Sequence, residues 1–262
     1  MQPRSGASQI VRAVVIVAVA LALAFGVPPL LRALNLHDWS KQTLGQYGFY
    51  ELYIACGFGL VVVSAMAMWR AGLPAALREL GIAELSPLGC VCCLGAIAVA
   101  FGVLLYAGAK WTPQPWDSLL VFCFIGPFVE EVLFRGFIFR QLRHWVGVPF
   151  WIAAVISSLL FGAGHFDQGH SLADAAMNST ITFAGGVLFC WLVERWGSIW
   201  PGFVIHAGLN FLWSVYTLGD NAVGGAMGNV ARVATVIVAL VLTRLFAPGG
   251  ALTAESPRPS AH

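Results

Sequence analysis

Eight apolar stretches, at about 10–31, 47–69, 88–109, 117–140, 149–166, 174–194, 198–218 and 227–246, are each close to the length that crosses a lipid bilayer. That repetition limits the fold more than any other feature. A spanning segment has no water to bond its backbone and must satisfy it internally, which segments of this length do as helices. The fold class is therefore all-α, a polytopic transmembrane helical bundle of about eight helices. Composition agrees. Of the 262 residues 59% are hydrophobic and 10% charged, and the mean hydropathy is +0.81; no ordinary soluble domain has such a balance. Connections are short and carry Gly, Pro and charges, as at Arg70-Ala71-Gly72-Leu73-Pro74, so no sizeable soluble domain is expected. The net charge of +2 comes without a basic tract, which excludes nucleic acid as a partner class. The partner that this chain requires is the lipid bilayer.

Arg4 and Arg12 precede the first apolar run, as in a signal peptide. The run is too long for a cleaved segment, and Val27-Pro28-Pro29-Leu30 offers no small-x-small site, so an uncleaved first helix is expected. The six cysteines fall in apolar stretches and read as small buried hydrophobes, not as a disulfide framework. Lys and Arg set the orientation. With the N-terminus inside, the cytoplasmic side holds Arg4, Arg12, Arg70, Arg78, Arg140, Arg143, Arg195, Arg244 and Arg258. The other side holds Arg32, Lys41 and Lys110. Both termini are expected in the cytoplasm of a multi-pass cell-membrane protein, by compactness a bacterial plasma-membrane protein. Trp69, Trp116, Trp145, Trp151, Trp196 and Trp200 lie near span ends and suit interfacial anchors.

Against this apolar background, Phe128-Val129-Glu130-Glu131-Val132-Leu133-Phe134-Arg135-Gly136 puts two carboxylates and a guanidinium inside the fourth span. Charge at that depth is expensive and marks a functional site. Glu131 and Arg135 are four apart, glutamate first, the favourable order for an intrahelical pair. Glu130 points about 100° away from Glu131 and is not expected to share its partner. It is left as the carboxylate that can take a proton from water and return it. Pro127 has no N–H, which frees the carbonyl of Cys123 and leaves room for a kink and for water. Phe161 and His165 are four apart on one face of the fifth span, as are His206 and Asn210 on the seventh. Imidazole and amide can hold a developing oxyanion. Glu130, His165 and His206 also offer three zinc ligands from three helices, although H-E-x-x-H is absent. His165 lies about 24 Å along a straight fifth helix, deeper than its partners, so that span must tilt, stop short or re-enter. His37, His144, His170, Asp167, Asp174 and Asp220 are expected in loops, caps or on the surface.

The three motifs E-E-x-x-x-R, F-x-x-x-H and H-x-x-x-N, in this order within apolar helices, resemble the CPBP family, the CAAX-processing and bacteriocin-processing (Abi) intramembrane proteases. The resemblance covers about residues 117 to 215. It implies a membrane-helical protease in which Glu130 and His165 activate a water, and His206 and Asn210 stabilise the tetrahedral oxyanion. Glu131 and Arg135 would shape the site, with Phe134 and Phe161 as candidate substrate-binding residues. The implied substrate is a membrane-associated peptide, prenylated or bacteriocin-like. Such enzymes are described both as metalloproteases and as metal-independent glutamate proteases; Asn210 suits the second, with no required cofactor. The implied organisation is N-terminal helices in 1–116, a catalytic core in 117–218, a last helix in 219–246 and a disordered tail in 247–262. Two other classes compete. A proton-coupled transporter would use Glu130 as a relay, and a non-catalytic immunity protein would not need it.

Overall fold

The computed structural model describes residues 6–218 and 223–248. Most of the expected tail lies outside the described residues, as do Arg4, Arg258 and Asp220. The chain is helical almost throughout, and among the described residues no strand forms beyond an isolated bridge between Trp111 and Tyr216. This is an all-α membrane bundle.

Helix α1 (Gly6–Leu21) passes through a π-helical turn (Ala22–Gly26) into α2 (Val27–Ala33). Pro28 and Pro29 open α2, where a missing N–H is least costly. Two short helices fall where the sequence predicts only connections: α3 (Leu36–Leu44) and α5 (Leu73–Glu79). Between them runs α4 (Gly48–Trp69), followed after α5 by α6 (Pro87–Tyr106). One long helical run then extends from Trp116 to Val146. It comprises α7 (Trp116–Leu119), a π-helical stretch (Leu120–Ile125), α8 (Gly126–Glu131) and two further π-helical stretches, Val132–Phe139 and Gln141–Val146. The chain ends with α9 (Phe150–Ala163), α10 (Leu172–Trp196), α11 (Trp200–Val215) and α12 (Ala226–Phe246). Among the described residues five helical segments are long and apolar enough to cross a membrane: Gly48–Trp69, Pro87–Tyr106, Phe150–Gln168, Leu172–Trp196 and Ala226–Phe246. The other expected spans are helical but shorter or interrupted by π-turns. The protein is a multi-pass membrane protein.

The long run from Trp116 to Val146 is the central element. Its Val132–Phe139 stretch is buried on all sides, against α1, α4, α9 and α10, with Leu80 at the end of α5 beside Gly136. Gly136 explains how α5 comes so close: a Cβ there would lie 2.6 Å from the carbonyl oxygen of Leu80, a backbone atom that cannot move aside. Small residues also bring α9 against α10. A Cβ on Gly162 would meet the Ser179 carbonyl oxygen at 2.8 Å, and one on Gly186 would meet Ser158 at 2.8 Å. Membrane helices pack by such close contact because lipid gives no hydrophobic drive between them. A second layer packs α12 along α6, with α10 and α11 beside them.

The arginine-rich end of the bundle is tied by polar contacts. Arg140 donates from Nε to the Glu79 carbonyl at 2.8 Å and from Nη1 to the Gly197 carbonyl at 2.7 Å, which closes the ends of α5 and α10. Arg143 pairs with Glu194. Trp200 donates to the Ile82 carbonyl at 2.8 Å, and Trp196 is a core residue whose ring N–H reaches Thr243. These two tryptophans hold helices together here; Trp116 and Trp151 are the exposed ones that fit an interfacial belt. The six cysteines are free, and Cys92, Cys93, Cys123 and Cys190 are buried.

Candidate active site

Glu130 and Glu131 close α8, at the middle of the long central run. Glu131 and Arg135 pair at 3.2 Å between Oε1 and Nη1, and both side chains are 0% exposed. The guanidinium is sandwiched between aromatic faces, 4.1 Å from the Phe161 ring centre and 5.0 Å from that of Phe189. Cation–π contacts of this kind gain strength when desolvated, so the rings help to keep a buried cation tolerable.

The expectation that the two adjacent glutamates have separate partners is corrected by His206. Its ring comes from α11 and lies between them, with Nδ1 2.9 Å from Glu131 Oε1 and Nε2 3.6 Å from Glu130 Oε2. A planar ring with nitrogens on opposite sides can bridge carboxylates that diverge around the helix. Phe189 stacks on it at 5.5 Å and fixes its plane.

His165 differs from its expected place. Helix α9 stops at Ala163, Gly164 caps it, and a short 3-10 turn follows (Phe166–Gln168). His165 therefore sits just past the helix end, and the expected depth mismatch disappears because the central run continues beyond Arg140 to Val146, which puts Glu130 as far from the arginine-rich end as His165. Its Nδ1 bonds the Phe161 carbonyl at 2.8 Å, and its Nε2 lies 4.0 Å from Glu130 Oε2. Asn178, from α10, donates to the His165 carbonyl at 3.0 Å and fixes the turn.

The tautomers follow from these partners. A carbonyl and a carboxylate oxygen only accept, so both rings donate from Nδ1. A neutral imidazole then has its lone pair on Nε2. Two such lone pairs face the Glu130 carboxylate, and an arrangement of three acceptors calls for a proton, a water or a cation among them. Among the described residues no group of three His, Cys, Asp or Glu side chains is close enough to form a ready metal site.

Asn210 is one turn beyond His206 on α11. Its amide donates to the carbonyl of Phe122 at 3.1 Å. The π-register explains why that carbonyl is free. The N–H of Gly126 bonds the Val121 carbonyl, so the next carbonyl, that of Phe122, faces Pro127, which has no N–H. The α-helical register predicted Cys123 instead; the π-turn moves the orphan by one residue, and Asn210 covers it. Phe134 does not line the cavity. It is buried behind Phe161, at 5.1 Å between ring centres, and its carbonyl accepts from Ser157. Phe161 does line it.

The cavity has a volume of about 690 Å³ and lies among α8 to α12. Glu130, His165 and His206 line its inner part; Gln168, Asn178, Trp213, Asn229 and Arg232 line the part toward the bundle end opposite the arginine-rich one. Asn178, Phe189, Trp213 and Asn229 had no signal in the sequence beyond their lying in apolar helices. Only Arg232, a cation within a span, stood out by type.

The fold is that of a polytopic membrane protein, and a carboxylate and two imidazoles converge on its cavity. Residues 110–212 match the family described as "Type II CAAX prenyl endopeptidase Rce1-like", and that segment contains all three motifs. It is 34% identical over 92 residues to a Bacillus subtilis (strain 168) protein described as "Putative membrane peptidase YdiL", across 35% of this chain and 34% of that protein. It is 29% identical over 149 residues to an Escherichia coli protein described as "Uncharacterized 24.3 kDa protein", across 48% of this chain and 65% of that one. The matched stretches thus span about a third and about two thirds of those two relatives. No solved structure matches the chain.

Proposed function

We propose that the protein is an intramembrane endopeptidase that hydrolyses a peptide bond in a membrane-associated substrate. The observation that carries this reading is the convergence of two imidazole Nε2 atoms on the Glu130 carboxylate, at 3.6 and 4.0 Å, beside a cavity large enough for a peptide. One water among the three atoms can donate its two protons to two of them. Glu130 takes one proton, the water oxygen attacks the carbonyl carbon, and the same carboxyl returns the proton to the leaving amine. His165 holds the water. His206, oriented by Glu131, would take up one proton from solvent on Nε2 to become an imidazolium, and would hold the tetrahedral oxyanion by a hydrogen bond from that N–H without giving the proton up. Asn210 uses one amide hydrogen on Phe122 and has a second for the same oxyanion.

The test is cleavage of a fluorogenic, C-terminally prenylated peptide and of a bacteriocin-like leader peptide by detergent-purified protein, with and without excess chelator. The expected result is turnover of at least one peptide that survives the chelator. Turnover lost to chelator and restored by zinc reassigns Glu130, His165 and His206 as metal ligands. No turnover, with a pH-gradient-dependent flux in proteoliposomes, replaces the peptidase reading with transport through Glu130. An immunity phenotype that survives replacement of Glu130 and His206 together replaces it with a non-catalytic role.

The charge asymmetry supports an orientation with both termini in the cytoplasm. The cavity then reaches the other face, because its outer part is lined from the ends of α9 and α11 and the starts of α10 and α12. The central run continues sixteen residues beyond Glu130 to Val146, which sets the site well away from the arginine-rich end. Cysteines introduced at the exposed positions Asp167 and His144 check this. Asp167→Cys should react with a membrane-impermeant maleimide in intact cells, and His144→Cys only after permeabilisation. The reverse pattern would invert the orientation.

A further inference from the structure

The cavity also takes one side chain from the N-terminal helices. Among the described residues Tyr50, on α4, is the lining residue that comes from before Phe122, and it lies outside the segment that matches the family and outside every motif. Its ring packs on that of Phe122, at 4.9 Å between centres. Its hydroxyl rests on Gly126: a Cβ there would lie 3.1 Å from Tyr50 Oη, so the missing side chain leaves this place clear. Among the described residues the hydroxyl makes no hydrogen bond, and it is not walled in; it opens on the cavity. Gly126 is four residues before Glu130, one turn back on the same face of α8. A helical side chain leans toward the N-terminus and covers the turn before it, so the Glu130 carboxylate leans toward the surface that Tyr50 Oη touches. The hydroxyl is within electrostatic reach of that carboxylate.

Glu130 needs such a neighbour. To act as a base it must be charged, and charge in a membrane cavity is costly without a hydrogen-bond donor. The two imidazoles present lone pairs to it, and both come nearest to Oε2. Oε1 is the farther oxygen, and among the described residues no protein donor holds it. We propose that Tyr50 is a positioning residue of this site: its hydroxyl donates a hydrogen bond to Glu130 Oε1 when the carboxylate is charged, and so keeps Oε2 turned to the two imidazoles and the water. Helix α4 then supplies a part of the site that the three motifs lack. The effect on rate rests on the endopeptidase reading; the contact itself does not.

The experiment joins kinetics to a spectroscopic probe, both on the full chain in detergent. Tyr50→Phe keeps the ring on Phe122 and removes the hydroxyl. With the fluorogenic peptide that wild type cleaves, kcat should fall about ten- to a hundredfold with KM little changed, the range for a hydrogen bond to a charged group. Tyr47→Phe removes a hydroxyl from a ring that packs edge-on to the same Phe122, and should leave kcat unchanged. A ring-fluorinated tyrosine placed at position 50 reads the contact without turnover. Its fluorine resonance should move in Glu130→Gln, whereas the same label at the exposed Tyr106 should not respond. Turnover of Tyr50→Phe equal to that of wild type would overturn the proposal. A loss carried by KM would move Tyr50 to substrate binding and overturn it as well, and so would a resonance at position 50 that is unchanged in Glu130→Gln. If wild type cleaves no peptide, the peptidase reading fails on its own and the resonance alone decides: a shift sustains the contact with Glu130, and no shift overturns it.

Discussion

Glu131→Ala is expected to destabilise the bundle by about 3–5 kcal/mol, the cost of leaving one member of a buried ion pair without the other. The structure argues for the upper part of that range. Arg135 is 0% exposed, and none of its guanidinium nitrogens makes a hydrogen bond; the pairing with Glu131 is one of proximity and charge. Without Glu131 the cation has only the rings of Phe161 and Phe189 and, at 6.0 Å, that of Phe134. The same substitution removes the acceptor that orients His206, so activity should fall beyond what lost protein explains. Thermal unfolding in detergent, followed by circular dichroism, measures the first effect. The double variant Glu131→Leu/Arg135→Met should be markedly more stable than Glu131→Ala, because an apolar pair of similar size removes the buried charge altogether. It should not recover activity, because His206 stays unanchored. A single variant as stable as wild type would mean that the aromatic faces alone carry Arg135.

The outline of this arrangement was legible in the sequence, and its corrections share one cause. Apolar periodicity and length mark where the helices lie, and charge inside apolar helices marks the site, because both follow from the membrane as solvent. The i,i+4 pairing of Glu131 with Arg135 needs only local geometry. What the sequence left open depends on departures from ideal helices. Among the described residues four π-helical stretches, three of them in the run from Trp116 to Val146, shift side chains and carbonyls out of the α-register. The orphan carbonyl therefore belongs to Phe122 and not Cys123. The continuation of the central run past Arg140 to Val146 brings Glu130 level with His165, and hydropathy does not register it because Gln141, Arg143 and His144 read as a loop. Arg232 and Trp213 meet only through tertiary packing, and no spacing rule links them. Phe189 is hidden in the same way: within the apolar second half of α10 it is one aromatic among several, until His206 and Arg135 are placed on its two neighbours' sides.

Glu130→Gln should reduce turnover by about 10²–10⁴-fold, the range for loss of a positioned general base, with the melting temperature held or raised. The contrast with Glu131 is the informative part, since the two residues are adjacent in sequence and chemically alike. Glu130 carries no buried cation; it faces the cavity and two imidazole lone pairs, and the groups nearest to it stay satisfied when it is made neutral. Glutamine keeps the volume, and its amide can donate to an imidazole Nε2, so packing should be preserved while the base is lost. The loss should therefore appear in kcat, with KM little changed, which is the pattern for an interaction used only in the transition state. Glu131→Gln should show the opposite order, a lower melting temperature first and a rate defect through His206 second. If folded Glu130→Gln protein keeps turnover within about tenfold of wild type, general-base catalysis by this carboxylate is wrong, because a side chain worth so little falls below the range expected of a proton-transfer group. Two neighbouring glutamates would then differ only in structural weight, and the convergence of His165 and His206 on Glu130 would have to be explained as a binding site for a cation.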